Sequence, residues 1–183
     1  MKDKYENKKT FISILIAFFL MAIFLLLKLG SNGGTKETNG IKLYYRVHTK
    51  SGYSDWYTNG EETNLKSILG IEIKVESDKT GHIIYNTYSS SDNFRDNDSY
   101  DGEISGNKKD KIYGIKIGLT DELAKDYEVY YRTYNKKDGW LDYTSNYNIS
   151  GDNGVDIEKI QIKVLEKKEK IKEGSKSSIG TFE

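Results

Sequence analysis

Asp55, Asp96 and Asp142 each stand two residues after an aromatic side chain, Tyr53, Phe94 or Trp140, and in two cases a second aromatic, Trp56 or Tyr143, follows directly. Paired carboxylates could hydrolyse a glycosidic bond, which needs one acid held protonated close to an ionised partner. One acid per unit is instead how a structural residue recurs, and symmetry would hold the three apart. The loop Asp96-Asn-Asp-Ser-Tyr-Asp-Gly102 offers oxygen ligands for a hard cation, but Tyr100 takes the place of the third ligand and Asn107 that of the closing Glu of an EF-hand loop. His48 shares a strand position with Tyr88 and Tyr134, and His82 follows Gly81 at a strand start; neither lies within metal-ligand spacing of another His. No P-loop, nucleophile elbow or dinucleotide fingerprint occurs. We therefore expect no catalytic residue, no metal site and no cofactor. What remains is stacking. Tyr53, Trp56, Trp140 and Tyr143 are the candidate ligand-binding residues, as platforms for sugar rings or a partner peptide. A competing reading makes Tyr53, Phe94 and Trp140 part of the interior, with each Asp accepting backbone hydrogens at a turn.

The boxes sit inside a longer pattern. Leu43, Tyr45 and Val47 match Ile83, Tyr85 and Thr87, and then Val129, Tyr131 and Thr133; this period of two marks strands with one buried face. Closing strands match as well: Ile71-Glu-Ile73-Lys-Val75, Ile115-Lys-Ile117-Gly-Leu119 and Ile160-Gln-Ile162-Lys-Val164. Asn59-Gly60 and Asp101-Gly102 follow the first two boxes, consistent with tight hairpin turns. The spacing predicts three units, 41–76, 81–119 and 127–165, each burying its core by packing on the others. Between the last two, Thr120 could cap one helical turn in residues 119–125.

The 183 residues lack cysteine, which excludes disulfides, thiolate zinc sites and cysteine nucleophiles. Residues 41–165 carry 17 Lys and Arg against 21 Asp and Glu, a net charge of −4 that lacks the basic footprint of a nucleic-acid binder. Residues 11–28 read as a transmembrane signal anchor. The apolar run Phe11 to Leu27 is 17 residues long; as a helix it rises about 26 Å and just crosses a hydrocarbon core of about 30 Å. Lys2, Lys4, Lys8 and Lys9 precede it and only Lys28 follows closely, so residues 1–10 are assigned to the cytoplasm and the rest to the outside. The alternative is secretion after signal cleavage, although Lys28 and the longer run fit a cleaved peptide poorly. Residues 29–40, rich in Gly, Asn and Thr, read as a flexible linker, and residues 166–183 as a disordered charged tail.

An alternating strand, a G-W-x-x-W-like box such as Gly52-Tyr-Ser-Asp-Trp56 or Gly139-Trp-Leu-Asp-Tyr143, an N-G turn and a closing I-x-I-x-V strand together resemble the ChW repeat, the clostridial hydrophobic repeat with a conserved tryptophan. Each unit keeps at most one Trp, and the middle unit keeps neither. The resemblance implies an exported surface binding or adhesion module. We expect an all-β domain of pseudo-threefold symmetry, β-prism-like or alternatively a β-trefoil. It would be tethered to the cell membrane and bind polysaccharide or a protein partner outside. The other function class kept open is a non-catalytic structural or accessory subunit of a cell-envelope complex.

Overall fold

The computed structural model describes residues 38–94 and 97–182, so the apolar segment from Phe11 to Leu27 and the acid Asp96 lie outside the described residues. No helix among the described residues is long and apolar enough to cross a membrane. The domain is all-β with open sheets.

Three long antiparallel pairs form its frame. In the first sheet β1 (Ile41–Thr49) lies between β4 (Gly70–Ser77) on one side and the short β2 (Gly52–Tyr53) and β3 (Tyr57–Thr58) on the other. In the second, β5 (Ile83–Ser89) pairs with β6 (Ser99–Tyr100) and β7 (Ile112–Leu119). After a six-residue helix, α1 (Asp121–Asp126), comes the third, in which β8 (Tyr127–Asn135) pairs with β9 (Gly139–Trp140), β10 (Thr144–Ser145) and β12 (Lys159–Glu166). The remaining strands, β11 (Ser150–Asp152) and β13 (Ser178–Ile179), extend the second sheet beyond β7. Registers correspond between the sheets: Tyr45 faces Ile73, Tyr85 faces Ile117 and Tyr131 faces Ile162.

What joins the sheets is an exchange of backbone. Each of β4, β7 and β12 is flanked on one side by its own opening strand and on the other by chain from a different segment. Gly60 and Thr63 donate N–H bonds to Ile162 and Ile160 on β12, at 2.8 and 2.9 Å. Gly102 and Ser105 donate to Ile73 and Ile71 on β4, at 2.7 and 2.9 Å. Tyr147 donates to Ile117 on β7 at 3.1 Å, and Ser150 on β11 pairs with Ile115. The exchange closes on itself, so each closing strand finds partners on both sides and none of the three is left as an unpaired edge.

The inward face of every long strand feeds one core. Ile71, Ile73, Ile83, Ile115, Ile117, Val129, Ile160 and Ile162 are all buried in it, because alternation sends every second side chain the same way. At its centre Tyr45, Tyr85 and Tyr131 are fully buried, and each phenol donates a hydrogen bond to a carbonyl in its own donated loop, those of Glu61, Glu103 and Asn148 respectively. Burial pushes all three phenols above the usual tyrosine range. Tyrosine thus packs like a large apolar residue and also satisfies a carbonyl that the crossing would leave unpaired. Beside it, Thr87 and Ser105 share a hydrogen bond of 3.0 Å, and Thr133 and Ser150 one of 3.1 Å; in the first sheet Val47 has no hydroxyl, and Thr63 Oγ1 accepts from the Ile160 N–H at 2.8 Å instead.

One local expectation changes. Thr120 occupies the N-cap of α1 without capping it, since its hydroxyl accepts from the His82 N–H at 2.9 Å and donates to Asp121. Within residues 166–183, expected as a disordered charged tail, Glu166 still belongs to β12 and Ser178–Ile179 form β13. Backbone pairing and Phe182, rather than a periodic apolar face, place β13.

Candidate functional site

The same alternation that sends Tyr45 and Val47 inward sends Arg46 and His48 outward. Strand β2 then brings Tyr53 opposite His48, where the two rings meet edge to face at 4.8 Å. The chain continues to Trp56. The Arg46 guanidinium lies between the two box aromatics, 4.2 Å from the Tyr53 ring centre and 4.5 Å from that of Trp56. Glu72, directly across on β4, holds the guanidinium through Nε at 2.7 Å and Nη2 at 2.6 Å. Lys74 adds a second cation 5.1 Å from both Tyr44 and Trp56. Tyr53 and Trp56 remain 42% and 37% exposed, so this stack lies on the surface and the interior is filled by Tyr45 instead.

The third sheet repeats the arrangement. Arg132 lies 4.4 Å from the Trp140 ring centre and 4.6 Å from that of Tyr143, while Tyr134 meets Trp140 edge to face at 5.6 Å. Opposite Arg132 the neutral Gln161 replaces the acid; its Oε1 accepts from Arg132 Nε at 2.9 Å and from the Tyr143 hydroxyl. Glu62, from the donated loop, stands 3.7 Å from Arg132. Trp140 and Tyr143 are half-buried. Each such cation–ring contact is worth about 0.5–1 kcal/mol near the surface. In the first and third sheets the two arginine contacts restrain the box rings.

The middle sheet is built differently. Asn86 stands where the arginines do, and the cation comes from the opposite strand: Lys116 Nζ lies 4.0 Å from the Phe94 ring and 5.3 Å from that of Tyr147, which belongs to the next segment. Tyr147 holds φ +64° where the other segments place Gly60 and Gly102. Room for its ring comes from Gly118, at the register position of Lys74 and Lys163. Asp98 accepts hydrogen bonds from Tyr147 and from Asn86.

Of the box acids, the two among the described residues stand on different sheets. Asp55 is exposed on the first sheet, whereas Asp142 accepts the Lys176 N–H at 3.0 Å on the third. Among the described residues no group of three acids, histidines or cysteines could hold a metal ion. Asp101 in the acidic loop accepts the Ile83 N–H at 3.1 Å and pairs with His82 Nδ1. That hydrogen bond, with the charge of Asp101, raises the His82 pKa above its usual 6.5. A raised native pKa contributes stability that is complete below pH 6.5 and is lost as pH rises through the native value. Thermal unfolding should therefore show a small fall in midpoint above pH 6.5 that His82→Gln removes; an unchanged slope in the variant would assign it elsewhere.

Arg46 and Arg132 join the candidate site beside the four aromatics expected from the sequence. Their shared position, one after the buried tyrosine, is the signal that could have found them. Compared with family models, with curated proteins and with solved structures, the chain matches none.

Proposed function

We propose that this chain is a membrane-anchored extracellular binding or adhesion module, with residues 11–28 as the anchor and residues 41–165 as a β-prism-like domain of three pseudo-symmetric repeats. Three separate open sheets joined by reciprocal backbone exchange favour a prism over a trefoil, and the resemblance to ChW repeats favours an exported surface module. The ligand is a polysaccharide of the cell wall or surroundings. The carrying observation is that an arginine lies between two outward aromatics on two separate sheets, Arg46 with Tyr53 and Trp56, and Arg132 with Trp140 and Tyr143. Rings held this way offer stacking area, and the guanidinium and lysine groups beside them offer donors to hydroxyls or carboxylates. Two such faces on one domain give multivalent attachment, which raises avidity without requiring a deep cleft.

Co-sedimentation of the full chain with insoluble cell-wall polysaccharide tests this reading. Trp56→Ala and Tyr143→Ala should each weaken binding about tenfold, equivalent to about 1.4 kcal/mol. Wild-type chain that stays in the supernatant, or variants that sediment as well as the wild type, would contradict it and turn attention to an accessory role in an envelope complex.

A further inference from the structure

The segment that extends the second sheet crosses from the third by way of a few polar bonds: Lys167 donates its N–H to Asp126 at 2.9 Å, Ser145 Oγ donates to Glu173 at 2.7 Å, and Lys176 and Asp142 exchange two bonds of 3.0 Å. Residues 167–176, KKEKIKEGSK, are mostly exposed and charged, and deliver residues 177–182 to the free side of β11. There β13 pairs with β11 in parallel, Ser178 with Gly151 and Ile179 with Asp152, whereas the other strand pairs among the described residues are antiparallel. Gly151 donates its N–H to Ser177 at 3.1 Å, Asn153 donates its own to Ile179 at 2.9 Å, and the Asn153 side-chain amide donates to the Thr181 carbonyl.

The anchor is Phe182. Its ring lies over Gly114 so closely that a Cβ at that glycine would stand 2.6 Å from Phe182 Cε1. Tyr88 meets it edge to face at 5.1 Å, and Phe94 lies 6.0 Å away. An exposed strand edge beside a pocket for one aromatic is the arrangement by which extended peptides are recognised, with backbone bonds giving affinity and the pocket giving selectivity.

We propose that the β11 edge and the Tyr88–Phe94–Gly114 cradle form a peptide-docking site, held in cis by residues 177–182 and able to take the same segment from a second copy of this chain. Once its bonds to Asp126, Asp142 and Ser145 are released, the ten-residue connector spans at most about 35 Å when extended, enough to reach a neighbouring domain. Exchange of an identical element keeps its contacts with β11 and the cradle in trans, and costs the connector's few polar bonds to the third segment. The tethered segment competes at an effective concentration in the millimolar range, so exchange is favoured where copies crowd. The inference does not depend on the ligand of the arginine–aromatic faces.

The test uses two full-length variants with complementary defects. Gly114→Val fills the cradle and frees its own segment, whereas Phe182→Ala leaves the cradle open with no anchor. Each alone should sediment as a monomer, and an equimolar mixture should give a heterodimer. A labelled peptide of residues 175–182 should bind Phe182→Ala at least tenfold more tightly than it binds wild type, and lose that binding when Gly114→Val is added. Absence of a heterodimer overturns the proposal, as does equal peptide binding by the single and double variants. Loss of native near-ultraviolet circular dichroism in Phe182→Ala would also overturn it, since Phe182 would then be core.

Discussion

Replacing Tyr131 with alanine should lower the unfolding free energy by about 3–5 kcal/mol, the range for deleting a large buried ring. Tyr131 is fully buried among Ile117, Ile160 and Ile162, so no water enters to fill the space. The change also removes the donor that satisfies the Asn148 carbonyl, which sits where the third segment crosses to β7. Tyr131→Phe separates the two effects: it keeps the ring, loses only the hydrogen bond, and should cost about 1–2 kcal/mol. A small domain has about 5–15 kcal/mol in all, so the alanine variant should unfold at a far lower urea midpoint. A loss below about 1 kcal/mol in the alanine variant would mean that the ring does not hold the core together. Tyr45 and Tyr85 occupy the same position in their sheets and should behave alike.

Gly151→Ala should cost about 3 kcal/mol or more, although it adds a single methyl group. A Cβ at Gly151 would stand 2.1 Å from the Tyr113 carbonyl oxygen and 2.7 Å from Gly114 Cα, both backbone atoms of the neighbouring strand. Neither can retreat without breaking the pairing of β11 with β7. Gly106 meets the same obstacle at the equivalent crossing, 2.4 Å from the Leu69 oxygen and 2.7 Å from Gly70 Cα. Gly154 supplies the control, since it has φ +82° but nothing within 4 Å of its Cβ position. Gly154→Ala should cost only about 1 kcal/mol of backbone strain. Equal losses at Gly151 and Gly154, read from urea midpoints, would show that conformation alone matters and that the close crossing is tolerant.

The strands were legible because their pattern repeats a physical rule. Leu43, Tyr45 and Val47, and the Ile-x-Ile runs that face them, carry period two with large apolar side chains, and these decide which face is buried. The crossings between segments were hidden. Residues 60–63, 102–105 and 147–150 share sequence only piecemeal, Gly-Glu in the first two, Ile-Ser in the last two and a closing hydroxyl at Thr63, Ser105 or Ser150, because they interact mainly through backbone. The spacing of the box aromatics was visible and their direction was not: a two-residue strand such as β2 or β9 has no period of its own, so the preceding turn sets its parity. Arg46 and Arg132 went unnoticed for a related reason. A charged residue alternating with buried ones reads as an ordinary solvated position until the aromatics are placed on either side of it. Phe182 similarly gave no periodic signal, since one ring over one glycine suffices to anchor its segment.

Trp140→Phe leaves Trp56 as the sole tryptophan, so iodide quenching of its emission reports on the first sheet alone. The proposed function predicts that Trp56, 37% exposed beside Arg46, is quenched in the free protein and becomes protected as soluble cell-wall polysaccharide is added to saturation. Quenching that stays the same at every polysaccharide concentration would contradict it.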